Sequence, residues 1–367
     1  MKINKTLVKH EWRNMKWMLL YFTLLSLGTI FLLKSSFESD YLSVLVNGFY
    51  MNEGIVFENV YSLIRGMTPY FGLGILIMIY MQFKDSKSLE VGRFLKSLPI
   101  SSREYYITKL ISGIISYTIP FIIMTVGVLI VRGNNISWIQ DYHNISRIPE
   151  IFIKQSSSIN ILSLFIMCYF IITATYTFLF MIQYLVMNIV GGIVIGFLTW
   201  LAPTFILGSL SVIYREITFK LMQSFKGLYK VQDYILPWSY HINIDSEYIE
   251  STFNNMGYNN ENIAVLNNMI PRTIICLIIS VVCIGLAYTI SKKSRVEDTD
   301  NLIAFKTARK IFVIGVTVCS ALLSTLILGQ VFSGRGINSF ILVHIIMFIG
   351  GFIGFIGSRK ISNMERK

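Results

Sequence analysis

Eight stretches of this chain, 17–33, 66–83, 110–131, 159–183, 186–214, 273–290, 311–328 and 337–356, are long, apolar and free of Asp, Glu, Lys and Arg. About 20 such residues in a helix cross a hydrocarbon core of ~30 Å. The sequence therefore predicts an all-α integral membrane protein with eight transmembrane helices. Arg65 and Lys109 stand just outside two of the runs, where a charge ends the apolar stretch.

Charge orients the spans, because Lys and Arg collect on the cytoplasmic side. With the N-terminus inside, segments 1–16, 84–109, 291–310 and 357–367 are cytoplasmic and hold 21 basic against 8 acidic residues. The remainder holds 11 basic and 12 acidic, so the net charge of +12 resides on one side. This split predicts that both termini are cytoplasmic. It also argues against nucleic acid as a partner, since the basic residues lie in short pieces beside the membrane and form no basic domain; anionic lipid headgroups are the simpler partner. The first apolar run is as long as a true span and lacks a small-residue cleavage site after it, so it reads as a retained anchor.

Cys168, Cys276, Cys283 and Cys319 fall inside apolar runs, where cysteine behaves as a small hydrophobe. His10, His143, His241 and His344 are scattered singly, without the spacing of metal ligands. Neither a metal nor a cofactor is expected on this chain. Ion-driven carriers place ionisable groups inside the membrane, and here only His344 lies deep in a run. A lone histidine there reads as a packed residue before a proton relay. No Gly-x-x-x-x-Gly-Lys-[Ser/Thr] phosphate loop occurs. The chain is not expected to be an enzyme by itself; uphill transport would draw on another subunit.

Residues 1–16 place Ile3, Leu7, Val8, Trp12 and Met15 on one helical face, among Lys2, Lys5, Lys9, Arg13 and Lys16, which predicts a cytoplasmic interfacial helix. The longest piece outside the spans, about 214–271, opens with Ile217, Leu221, Phe225 and Leu228 at helical spacing. That piece reads as an extracellular insert, its first part a helix lying on the outer leaflet.

Between the second and third runs the chain reads Ser88-Leu89-Glu90-Val91-Gly92-Arg93-Phe94-Leu95-Lys96-Ser97-Leu98-Pro99-Ile100-Ser101-Ser102-Arg103. A short amphipathic helix here must end before Pro99, which disfavours helix at the residue preceding it. Ser101 or Ser102 can then cap the helix that enters the third span. The pattern of an acidic residue, Gly, Leu-x-Ser-Leu-Pro-[Ile/Val]-[Ser/Thr], Arg and a later lysine resembles the permease subunits of type-2 ATP-binding-cassette exporters. Glu90, Gly92, Leu95, Ser97, Leu98, Pro99, Ile100, Ser101, Arg103 and Lys109 carry the resemblance, and Ser102 is an additional residue before the arginine.

The resemblance implies that 88–98 is a coupling helix for a separate cytosolic ATPase, through Leu89, Glu90, Arg93, Phe94, Leu95, Leu98, Pro99 and Arg103. ATP and magnesium would sit on that ATPase. It implies a second permease, identical or a sibling, and export of an amphiphilic or peptide-like cargo, such as an antimicrobial peptide or drug, across a bacterial plasma membrane. It covers a six-span core at 17–290, with the coupling segment at 84–106. Beyond that core lie a cytoplasmic linker at 291–310, an additional two-helix hairpin at 311–356 joined through Gly334-Arg335-Gly336, and a tail at 357–367. Pro120 and Pro203 are expected to kink or break their helices, Pro203 matching a re-entrant turn of the family. Thr173, Thr175, Tyr176 and Thr177, with Gln183, either line a substrate path or bond between helices. A secondary carrier, a membrane sensor or assembly protein without transport, and third a membrane-embedded enzyme, which the lack of any clustered carboxylate, His or Cys constellation weakens, are the rival classes.

The charge split yields a direct expectation. In sealed cells, an impermeant thiol reagent should label a cysteine placed at position 250 and spare one at position 88; labelling at 88 would reverse the topology.

Overall fold

The computed structural model describes residues 5–47, 55–87, 101–139, 157–217, 261–293, 306–332 and 338–362. Every regular element among them is an α-helix: α1 Lys5–Asn47, α2 Ile55–Lys87, α3 Ser102–Asn134, α4 Ser158–Leu185, α5 Ile189–Ile217, α6 Glu261–Lys293, α7 Lys306–Phe332 and α8 Asn338–Ser362. Seven of these, α1 to α4 and α6 to α8, are long and apolar enough to cross a membrane. The remaining expected run is helix α5, whose described apolar stretch, Ile189–Pro203, is shorter. The chain is an all-α, multi-pass membrane protein.

The helices exceed the apolar runs that announce them. Residues 5–16 continue into the first span without a break, and α2 begins well before its run. Charged residues at helix ends stop the count of apolar residues but not the helix. Neither Pro120 nor Pro203 ends its helix: α3 and α5 are continuous across them, so no re-entrant turn forms at Pro203. Trp200, one turn earlier, packs against Phe178 at 4.7 Å. Residues 218–260, the 294–305 part of the linker, the Gly334-Arg335-Gly336 turn and 363–367 lie outside the described residues.

The described residues form two compact units. In the first, built from parts of 1–82, 100–177 and 241–282, side-chain contacts fix the register of four helices. Glu11, Gln82, Lys109 and Tyr176 meet at one level. Eleven or twelve residues along each helix, Phe22 stacks on Phe71 at 5.5 Å, Phe71 meets Phe121 at 6.2 Å, and Phe121 meets Phe165 at 5.9 Å. At 1.5 Å per residue the two levels are roughly 16 Å apart. The second level lies C-terminal to the first on α1 and α3 and N-terminal to it on α2 and α4. Successive helices therefore alternate in direction, as consecutive membrane crossings must. Farther along α1, Phe37 and Tyr41 pack on Trp138 at 6.2 and 5.8 Å. From Glu11 to Phe37 α1 climbs about 39 Å, close to a bilayer with its headgroups.

In the second unit, α7 packs along α8 and also against α5. The α7–α8 seam is made of small residues: Gly350, Gly351 and Gly354 face Thr317, Ser320, Ala321 and Ser324. The Ser324 hydroxyl donates to the carbonyl of Ile346 on the opposite helix at 3.2 Å. Bulky side chains point outward, Phe348 being 77% exposed. Lipid is as apolar as leucine, so burying leucine gains little in a membrane, and close backbone approach holds the helices together instead. Gly192 and Gly196 serve the same end against Gln183 and Leu179.

A side chain at Gly354 would place its first carbon 2.5 Å from Ser320 Cβ and 3.3 Å from the Val316 carbonyl, whereas nothing lies within 4 Å of one at Gly357. Gly354→Leu should destabilise the protein by about 1–3 kcal/mol, read as a lower melting temperature in detergent, while Gly357→Ala should leave it unchanged or raise it.

Candidate functional site

Helix α1 turns Leu7, Glu11, Met15, Met18 and Phe22 inward, at the three- and four-residue spacing of one helical face. Of the apolar residues expected on one face of 1–16, Leu7 and Met15 are buried against the chain, while Val8 and Trp12 are 41% and 42% exposed. Glu11 lies with Leu7 and Met15 on the buried face. Lys5, Lys9, Arg13 and Lys16 remain exposed on the other side.

Glu11 is 2% exposed and Lys109 1% exposed, and their Oε1 and Nζ atoms lie 3.5 Å apart. Lys109 reaches Glu11 because α3 begins two turns earlier at a fixed point. The Ser101 side chain accepts the Glu104 backbone N–H at 3.2 Å and caps the helix, as expected. The Lys109 ammonium also donates to the main-chain carbonyl of Gln82 and lies 5.0 Å from the centre of the Tyr105 ring. Gln82 replies in kind, its Nε2 donating to the carbonyl of Lys109 at 2.9 Å. Its Oε1 accepts the Tyr176 hydroxyl at 3.2 Å. Gly113, one turn after Lys109, leaves the space that the Tyr176 hydroxyl occupies. Tyr117 packs edge-on to Tyr176 at 5.7 Å and donates to Thr173 Oγ1 at 3.2 Å.

Four helices thus share one polar layer whose charges are removed from water. Taking an ion pair out of water costs several kcal/mol per ion, and attraction offsets this only with good geometry and further hydrogen bonds. Lys109 has those bonds; Glu11 Oε2 lacks a hydrogen-bond partner among the described residues. Such a layer adds less to stability than its bonds promise, but it is intolerant of losing one member.

Of the coupling residues expected from sequence, Leu89, Glu90, Arg93, Phe94, Leu95, Leu98 and Pro99 lie outside the described residues; Arg103 is exposed in the first turn of α3. The five polar residues proposed for a path are buried and engaged within the chain. The hydroxyls of Thr173, Thr175 and Thr177 donate one turn back, to Tyr169, Ile171 and Thr173. Gln183 Oε1 accepts from Lys87, whose ammonium also donates to the carbonyl of Val186 at 2.6 Å. Lys87 so holds the end of α4 and the turn into α5. Glu11 and Gln82 are the members of the site that the sequence does not single out, and only Glu11 carries a signal. Its signal was its spacing, four residues after Leu7 and four before Met15.

All four cysteines are free, and no cluster of three His, Cys, Asp or Glu side chains suited to a metal occurs among the described residues. His344, expected to be packed, lies on the exposed face of α8. Compared with family models, with curated proteins and with solved structures, the chain matches none.

Removing only the lysine strands a buried carboxylate. Lys109→Met should cost about 3–5 kcal/mol, whereas Glu11→Leu with Lys109→Met should recover most of that loss; thermal melts of the purified protein in detergent read both.

Proposed function

We propose that this chain is the membrane-spanning subunit of an ATP-driven exporter, acting with separate cytosolic ATPase subunits and a second permease. The observation that carries the reading is the segment Glu90 to Lys109, with its Gly92, its Leu95-Lys96-Ser97-Leu98-Pro99-Ile100-Ser101 run and Arg103. Support comes from the far end of that segment, where the Ser101 cap starts a continuous helix that buries Lys109. A short element strung between two long helices can pass on a push that a slack loop would absorb. The cargo is an amphiphilic or peptide-like molecule moved outward across the plasma membrane of a bacterium, with both termini of the chain in the cytoplasm. Hydrolysis belongs to the partner, since the chain carries no phosphate loop.

A secondary carrier would need its ion site near the middle of the bilayer. Glu11 and Lys109 instead lie at one end of the four-helix register, roughly 16 Å from the phenylalanine level, which favours a structural joint over an ion site.

An affinity-tagged chain should bring down an ATPase, and the chain alone should hydrolyse no ATP. Phe94→Ala should weaken capture by about 30-fold, the equivalent of about 2 kcal/mol for a buried aromatic anchor. Lys96→Ala should change it by less than about fivefold, as for an exposed rim charge. Wild-type capture by Phe94→Asp would count against docking at this segment.

A further inference from the structure

Gln82 and Lys109 are bonded in both directions, each side chain to the other residue's main-chain carbonyl. Such a bond specifies position along a helix. Successive carbonyls are only 1.5 Å apart in rise, so a slip by one residue forfeits the bond, whereas apolar side chains slide past one another with little change in contact. The two residues stand where the chain leaves the first unit toward residues 88–100 and where it has just returned. Glu11 brings α1 to the same ammonium at 3.5 Å, and Tyr176 brings α4 to Gln82 at 3.2 Å. A first side-chain carbon at Gly113 would stand 2.6 Å from Gln82 Nε2 and collide with the Tyr176 hydroxyl, so a larger residue there would displace both.

We infer that Glu11, Gln82 and Lys109 are positioning residues that lock α1 in axial register with α2 and α3, the helices between which 88–101 is strung, so that a displacement of that segment reaches α1 as movement of a rigid group. Stability alone does not require these residues, because apolar side chains of similar volume commonly replace a buried ion pair without loss. What an apolar replacement lacks is register, the use of buried polar groups best attested in helical assemblies. The lock stands on contacts within the first unit; only the source of the displacement rests on the exporter reading.

The variant that separates the two roles is Glu11→Leu with Lys109→Met in the full-length chain in lipid nanodiscs. Nitroxides introduced through unnatural amino acids at the exposed positions Lys9 on α1 and Ile111 on α3 leave the four cysteines in place. Pulsed electron resonance should give one narrow distance in the wild type. In the double variant it should give a distribution at least twice as wide, at a melting temperature near that of the wild type. Gln82→Met, which spares the ion pair, should also widen it. A distribution as narrow as the wild type's in both variants would overturn the lock.

In the complex with its ATPase, trapping with ATP and vanadate should alter hydrogen exchange over residues 5–18 in the wild type, and at least fivefold less in the double variant while hydrolysis continues. Equal changes in both would overturn transmission through these residues. Failure of any ATPase to co-purify with the wild type would overturn the exporter reading, whereas the distance measurement judges the lock independently of it.

Discussion

The exchange of bonds between Gln82 and Lys109, with Glu11 on the same ammonium, is the constraint around which the first four helices are arranged. In a membrane the hydrophobic effect drives helices into the bilayer but does little to choose which faces of them meet. Directional bonds make that choice. Once Glu11, Gln82, Lys109 and Tyr176 share a level, the 1.5 Å rise sets where Phe22, Phe71, Phe121 and Phe165 fall, and the aromatic contacts follow. The second unit meets the same problem by another route, through glycine and serine seams that let α7 and α8 approach until Ser324 can bond across to Ile346.

Much of this arrangement could be read from sequence, for reasons that separate cleanly. Apolar runs announce spans because the bilayer thickness imposes a length, and the Ser101-Ser102 pair announces a helix start without saying which serine caps it; the structure gives that role to Ser101. Helix ends were harder: α1 and α2 extend beyond their runs because a charged residue does not stop a helix, only its burial in lipid. Pro203 suggests a turn by its place in the sequence, yet α5 passes through it with Trp200 packed on Phe178.

The polar layer was the least readable feature. In the sequence Lys109 is a charge at the edge of a span, and Glu11 is submerged in a stretch dominated by lysine and arginine. The spacing of Glu11 from Leu7 and Met15 places it on one helical face, but nothing local names a partner so far along the chain. Tyr176 and the threonines around it form a polar run within a span, and sequence does not choose between a path and helix-to-helix bonding; in the structure Thr173 accepts from Tyr117, and Tyr176 donates to Gln82. Of the four residues at the site only Lys109 and Tyr176 stand out in the sequence; the alternating direction of the helices brings them to Glu11 and Gln82.

The ion pair also imposes an order on how the protein is made. Lys109 is synthesised 98 residues after Glu11, which at about 5–20 residues per second is a delay of roughly 5–20 s. Throughout that interval the first helix carries an unaccompanied acid on the face it must later bury. Its first turns have to wait in hydrated surroundings at the membrane surface until the third helix is threaded, so assembly of the bundle is timed by the arrival of a single lysine.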